Sequence, residues 1–159
     1  MSLSRAARAA KKLARRASRQ AKGKRGRGTR TYREVEFTDA RGNPLGEIDQ
    51  IRGKKFIERK SARGLAHPRN RLTPDEWAER QILDPTRTRI RNLRTPGALT
   101  RPTVGGSPTV PSIEKLREVR RLHFQVEAST PAVQAAVQRQ LATLGAEFPD
   151  WKFTAGFGN

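Results

Sequence analysis

The stretch GEIDQIRGKKFIERKSA, Gly46 to Ala62, consists of two apolar, strand-like runs joined by a short turn. The first run contains Glu47 and Asp49, and the second contains Glu58 and Lys60. Residues two apart on a strand share a face of the sheet, so each of these pairs points to one side. If the turn pairs the two runs, all four side chains converge at one edge of the sheet.

The residues on both sides of this stretch extend the pattern to a larger sheet. TYREVEF, starting at Thr31, is strand-like and is followed by DARGNPLG, a turn rich in Gly, Asn and Pro. Further on, LHFQVEA and DWKFTAGFG predict two more strands. Together with the helices described next, the order of elements is βββ, α, then αβαβ. This order predicts an α+β or α/β fold built around one sheet.

Three segments carry helix signals. Thr73, Pro74 and Glu76 form a capping box with proline at the first helical position. We expect this first helix to end near Asp84, before Pro85. PSIEKLREVRR predicts a short helix, and TPAVQAAVQRQLATLG predicts a longer amphipathic helix that starts at its threonine and stops at its glycine.

The charge of the chain is unevenly distributed. The formal net charge is +19, and residues 1–30 contain twelve Lys and Arg and no acid. The remaining 22 of the 34 basic residues share residues 31–159 with all 15 acidic ones. We expect a basic arm over 1–30, disordered or loosely helical, and a domain over 31–159 with a flexible loop at about 95–112. The arm is either a solvated linker or a non-specific phosphate-binding segment.

Composition and missing motifs narrow the function. The basic excess predicts a polyanionic partner, with nucleic acid as the first candidate. The chain has no cysteine, so disulfides and thiolate metal sites are excluded. No apolar run is long enough to span a bilayer, so no membrane partner is expected, and export would require a signal outside this sequence. Walker loops, G-x-S-x-G elbows and His-rich zinc patterns are missing.

The acidic residues of the opening stretch suggest a metal site. Two or three carboxylates at one edge of a sheet, from Asp49, Glu58 and Glu47, form a hard oxygen site that suits Mg²⁺ or Mn²⁺. The neighbouring ammonium of Lys60 can position a water molecule or stabilise charge on a phosphate. This combination is suited to the hydrolysis of phosphodiester bonds.

These residues resemble the PD-(D/E)xK nuclease superfamily, whose motif is an acid at the end of one strand and Glu-x-Lys in the next. Asp49 matches the Asp of the motif, Glu58 its second acid and Lys60 its lysine, with Glu47 as an accessory ligand. The resemblance implies a metal-dependent nuclease with a single mixed sheet of restriction-endonuclease type, flanked by helices. It covers residues 31–62 by motif and the later elements by their order only.

Two features depart from the pattern of this superfamily. Ile48 stands where the motif usually has proline before the Asp. The glutamate that often lies on a preceding helix has no counterpart, because residues 1–30 contain no acid. Glu34 or Glu36 on the first strand is a candidate substitute, so Glu36 is treated as a possible accessory residue.

A basic Ala/Arg linker ahead of a C-terminal nuclease also resembles the toxin tips of bacterial polymorphic toxins, including contact-dependent inhibition, Rhs-type and type VI effectors. That resemblance implies delivery as part of a larger secreted effector and action in the cytoplasm of a target bacterium. It also implies a cognate immunity protein, acidic enough to meet the basic surface. The substrate would be DNA or tRNA, with DNA slightly favoured.

Other basic residues near the motif are candidates for binding the nucleic-acid backbone. They are Arg59, Arg63, Arg69, Arg71, Arg87, Arg89 and Arg91. His67 could shuttle a proton or touch phosphate, although a lone loop histidine more often does neither.

Two simpler interpretations remain open. The Glu and Lys side chains could form ordinary cross-strand ion pairs on a solvated sheet. The protein would then be a non-catalytic basic nucleic-acid-binding protein, of ribosomal or nucleoid-associated type, in which the basic arm supplies most of the affinity.

Overall fold

The computed structural model describes residues 28–158. The chain divides between Arg30 and Thr31, and the fold and site described below belong to the unit that starts at Thr31. The arm predicted over residues 1–30 lies outside the described residues, except for its last three. No helix within 28–158 has the length and apolar character needed to cross a membrane.

Six strands form one mixed sheet, and the predicted α+β class is confirmed. The strands are β1 (Thr31–Thr38), β2 (Pro44–Arg52), β3 (Phe56–Ser61), β4 (Leu99–Pro102), β5 (Arg121–Glu127) and β6 (Lys152–Phe157). Their spatial order is β4-β1-β2-β3-β5-β6. The meander β1-β2-β3 and the edge strand β4 are antiparallel, whereas β5 is parallel to β3 and β6 is parallel to β5. All five strands that the sequence predicts are present.

Two tight turns set the meander. Asp39 closes the first turn, because its Oδ1 accepts hydrogen bonds from the backbone N–H groups of Arg41 and Asn43, each at 2.8 Å. The second turn contains Gly53, whose φ of 60° lies in the left-handed region that glycine adopts without strain. These turns bring β2 against both of its neighbours.

The helices are α1 (Pro74–Ala78), α2 (Asp84–Leu93), α3 (Ile113–Arg117) and α4 (Pro131–Glu147), with a 3-10 turn at Arg63–Ala66 and a π-helical turn at Glu79–Leu83. The predicted capping box is confirmed. The Thr73 hydroxyl accepts the Glu76 N–H at 3.2 Å, and the Glu76 carboxylate accepts the Thr73 N–H at 2.8 Å. In α4, Thr130 is the N-cap as predicted, but Gly145 is not the stop, because the helix continues to Glu147.

The helical run does not end before Pro85, so that prediction was wrong. The π-helical turn Glu79–Leu83 links α1 directly to α2, and the Asp84 N–H bonds to the Glu79 carbonyl. Pro85 therefore lies in the first turn of α2, where the missing N–H of proline is tolerated. The helical run from Pro74 to Leu93 accommodates the proline because its hydrogen bonds change from the α-helical to the π-helical pattern just before it.

The sequence predicts a flexible loop at about 95–112. Within this segment, Leu99–Pro102 instead form the edge strand β4. After β4, the Ser107 N–H donates to the Arg33 carbonyl at 3.0 Å, and the Arg33 N–H donates to Ser107 Oγ at 2.9 Å. A Cβ at Gly106 would lie 2.6 Å from the Arg33 carbonyl oxygen, so glycine is needed for this approach. Proline is compatible with an edge strand, so Pro102 can take part in β4.

The hydrophobic core lies between the sheet and the helices. Phe37, Phe56 and Phe124 are fully buried, as are Ile82 of the helical run and Leu144 of α4. Trp77 and Trp151 are also buried, as expected of core anchors. The helical run is thus fixed against the sheet, and this packing positions the side chains considered next.

Replacing Thr73 by alanine tests the capping box. The variant loses the acceptor for the Glu76 N–H, so we expect the free energy of unfolding to fall by about 1 kcal/mol. Urea unfolding followed by circular dichroism measures the change. Thr109→Ala, at an exposed loop position, is the matched control and should leave the midpoint unchanged. An equal midpoint for both variants would show that the cap does not stabilise the helical run.

Candidate active site

Strands β2 and β3 pair over only two positions and then diverge. Gln50 pairs with Ile57 and Ile51 with Phe56. At the next position, side-chain hydrogen bonds take the place of backbone pairing. The Arg59 N–H donates to Asp49 Oδ2 at 2.7 Å. The Asp49 N–H donates to Glu58 Oε1 over a longer distance of 3.4 Å. Each carboxylate therefore accepts a backbone N–H of the opposite strand at the point where the strands separate.

Glu58 is almost completely buried. The residue is 1% exposed, although carboxylates are rarely buried unless they are paired. Its Oε2 lies 3.7 Å from Lys60 Nζ and 3.0 Å from a terminal nitrogen of Arg89. Arg89 comes from α2, and the same nitrogen donates to the backbone oxygen of Glu47 at 3.4 Å. Two cations from different elements thus neutralise one buried carboxylate.

The pKa of Glu58 is raised because burial outweighs the cations beside it. Burial raises the pKa of Glu58 above its ordinary value, and the nearby Asp49 carboxylate raises it further. Arg89, Lys60 and the hydrogen bond from the Asp49 N–H lower the pKa without cancelling the effect of burial. Burial thus makes the ionised form of Glu58 depend on the positive charges beside it.

An open groove leads to Asp49 from the solvent. It has a volume of about 320 Å³ and is lined by Arg33, Glu34, Glu47, Asp49, Gln50 and Arg59. Glu47 is exposed on this groove, and its pKa is raised by partial burial and by the charges of Glu34, Asp49 and Glu36. The groove thus combines carboxylates with two arginines at the surface.

The residues present fit a divalent cation that keeps water in its shell. Within 28–158, no three acidic or histidine side chains surround a common point. Mg²⁺ does not require such a cage, because proteins commonly bind it through one or two carboxylates plus water and substrate phosphate. Asp49 and Glu58 would supply those carboxylates, whereas Glu47 lies on the groove, where no described contact joins it to Glu58.

The basic residues predicted around β3 lie at the surface. Arg59 lines the groove, and its Nε donates to Gln125 at 3.2 Å. Arg63 lies 3.9 Å from the Glu127 carboxylate, and both are exposed. Arg69 and Arg71 are exposed in the loop that leads to α1. Of these four, Arg59 is the one that lines the groove beside Asp49.

The arginines of α2 point in different directions. Arg87 forms an ion pair with Glu147 of α4 and lies 3.4 Å from Asp84. Arg91 is exposed and donates to Thr88. Arg89 points inward, with its side chain 11% exposed, and contacts Glu58. The sequence interpretation placed Arg89 with the nucleic-acid contacts, but the structure places it inside the carboxylate site.

The two accessory candidates are occupied elsewhere. Glu36 of β1 forms an ion pair with Arg101 of β4. His67 is exposed, and its Nδ1 accepts the Arg69 N–H at 3.1 Å. None of the described hydrogen bonds or ion pairs joins either residue to Asp49, Glu58 or Lys60.

Sequence reasoning missed the inward role of Arg89 because it ended the helix too early. Thr86, Ile90 and Leu93 are the buried residues of α2. Arg89 is three residues after Thr86 and four before Leu93, so helical spacing places it on the same face. Had the helix been continued through Pro85, this spacing would have predicted that Arg89 faces the sheet.

Comparison with family models, with curated proteins and with solved structures finds no match for this chain.

Truncating Glu58 tests how strongly the buried ion pair stabilises the fold. Glu58→Ala leaves the largely buried guanidinium of Arg89 without its carboxylate, which we expect to lower the free energy of unfolding by about 3–5 kcal/mol. The double variant Glu58→Met with Arg89→Met should recover most of that loss, because apolar replacement of a buried pair is often neutral. Urea unfolding in EDTA gives both values.

The control is Glu118→Ala, at an exposed carboxylate with no described ion pair, and it should leave stability unchanged. If Glu58→Ala lowers the free energy of unfolding no more than the control does, the carboxylate is more accessible to water than its 1% exposure indicates.

Proposed function

We propose that the protein is a metal-dependent nuclease of the PD-(D/E)xK type, which hydrolyses phosphodiester bonds. The observation that carries this proposal is the buried carboxylate of Glu58, 1% exposed, placed beside Asp49 where β2 and β3 diverge. Lys60 lies on the same strand face as Glu58, with its Nζ 3.7 Å from the carboxylate. An acid pair next to an ammonium in a basic protein supplies the groups that this reaction needs.

Asp49 and Glu58 would hold Mg²⁺ or Mn²⁺, and Glu47 on the groove would bind through water. When bound, the metal acts as a Lewis acid on the phosphate and lowers the pKa of a bound water. In the reaction, the oxygen of water bonds to phosphorus while an ester P–O bond breaks and its oxygen leaves with a proton. Lys60 would orient the attacking water or stabilise negative charge on the phosphate.

The surface around the groove supports binding of a polyanion. Arg33 and Arg59 line the groove beside Asp49, and the whole chain has a formal net charge of +19. Phosphate contacts from such residues hold a nucleic-acid backbone in register without reading its sequence. We propose DNA as the first substrate to test and tRNA as the second.

The biological setting follows from the second resemblance and is part of the same proposal. As the tip of a delivered bacterial effector, the nuclease would act in the cytoplasm of a target cell. A cognate immunity protein with an acidic surface would protect the producing cell. Replacement of Glu58 by glutamine should then abolish toxicity in cells without immunity.

Cleavage assays on the purified chain test the enzymatic proposal. Plasmid DNA and total tRNA are incubated with the protein with and without Mg²⁺, and products are followed on gels. We expect EDTA to abolish cleavage. Glu58→Gln, Asp49→Asn and Lys60→Met should each reduce the rate about 100-fold or more, because each removes charge stabilisation worth several kcal/mol.

The same variants separate a nuclease from a non-catalytic binding protein. Glu58→Gln should keep its affinity for the polymer, measured by fluorescence anisotropy, since phosphate contacts come from other residues. Glu118→Gln and Lys115→Met, both exposed, are the matched controls and should cleave at the wild-type rate. Tight binding by the wild type with no metal-dependent cleavage of either substrate would favour the basic binding protein and reject the nuclease.

A further inference from the structure

Arg89 occupies the carboxylate site from a separate element. It extends from α2 to the place where β2 and β3 separate, and its terminal nitrogen lies 3.0 Å from Glu58 Oε2 and 3.4 Å from the Glu47 carbonyl oxygen. Its side chain is only 11% exposed, and that of Glu58 is 2% exposed. Water therefore compensates little of either charge, and the two groups depend on one another.

The charges around the site balance without a metal. When both carboxylates are ionised, Asp49 and Glu58 carry two negative charges, and Arg89 and Lys60 beside Glu58 carry two positive ones. A divalent cation that binds the two carboxylates adds two further positive charges in a poorly solvated place. Since like charges repel strongly where water is excluded, the cation and the Arg89 guanidinium compete for Glu58.

We propose that Arg89 is a built-in counter-ion of the Asp49–Glu58 pair, and that a divalent cation binds the pair by displacing the guanidinium from Glu58. The inference rests on the proposed function, because it assigns the divalent cation to these two carboxylates. It adds a regulatory property: Arg89 holds the site together before the cation arrives and lowers the affinity of the site for it.

Arg89 rather than Lys60 is the group displaced. Lys60 makes the longer contact of 3.7 Å, and its side chain is 20% exposed, so water compensates more of its charge than that of Arg89. Arg89 makes the shorter contact through a long side chain that starts on α2. Rotation about its side-chain bonds can move the guanidinium away from Glu58 without moving a strand or a helix.

Displacement has two measurable consequences. Because Arg89 and the cation compete for Glu58, removing the guanidinium should tighten divalent binding. Because Arg89 neutralises Glu58 in the metal-free protein, its removal should also lower the melting temperature in EDTA. A purely structural arginine would produce the second effect without the first.

Isothermal titration of the full chain with Mn²⁺ tests the proposal. We expect Arg89→Met, which keeps the aliphatic stem and removes the charge, to bind Mn²⁺ roughly 5-fold or more tightly than the wild type. The same variant should melt at a lower temperature in EDTA and show a larger rise in melting temperature on addition of Mn²⁺. Arg89→Lys retains a cation and should give an intermediate affinity.

Two further variants define the site and the background. Arg80→Met removes an exposed arginine from the same helical run and should leave both Mn²⁺ affinity and melting temperature unchanged. Glu58→Gln should abolish Mn²⁺ binding, which assigns the measured binding to this site. If Arg89→Met does not fold in EDTA, folding on addition of Mn²⁺ supports the proposal and continued unfolding contradicts it.

The outcomes separate this inference from the proposed nuclease. If the wild type binds Mn²⁺ through Glu58 but Arg89→Met binds equally or more weakly, the counter-ion role is wrong and the nuclease proposal stands. If neither protein binds Mn²⁺ or Mg²⁺ and neither cleaves nucleic acid, both proposals are wrong.

Discussion

The burial of one carboxylate constrains the architecture around the candidate site. Glu58 is 1% exposed, and an ionised carboxylate in that position needs nearby cations and hydrogen bonds. Lys60 supplies charge from the same strand, Arg89 supplies it from α2, and the Asp49 N–H adds a hydrogen bond. The Glu58 carboxylate therefore links the divergence of β2 and β3 to the position of α2 and the direction of its Arg89 side chain.

The helical run must pass Pro85 to satisfy this constraint. If the helix ended before the proline, Arg89 would lie in a connecting segment with no fixed direction. The π-helical turn Glu79–Leu83 keeps the run continuous, and the buried face of α2 then holds Arg89 towards the sheet. Asn92, about one turn later, donates to the Leu45 carbonyl at 2.8 Å and so fixes α2 to β2.

Local signals predicted most of the fold, whereas the site depended on tertiary contacts. Alternation of apolar residues located β1, β2 and β3, and the side-chain period of two placed Glu58 and Lys60 on one face. No local pattern specifies that β2 and β3 separate beyond the Gln50–Ile57 pair, or that an arginine lies beside Glu58 at that point. Pro85 misled the interpretation because it occupies the first turn of a helix, a position where proline is tolerated.

Fold stability alone does not account for this cluster. Replacing a buried ion pair by apolar side chains of similar volume is often neutral or stabilising, so a protein selected only to fold would gain little from Glu58 and Arg89. Affinity for a polyanion does not account for it either, because exposed lysines and arginines provide that affinity without any buried carboxylate. A hydrolase that must attract a cation to a fixed point beside a phosphate needs both the acid pair and its placement. We therefore favour catalysis over simple binding as the reason for the buried acid.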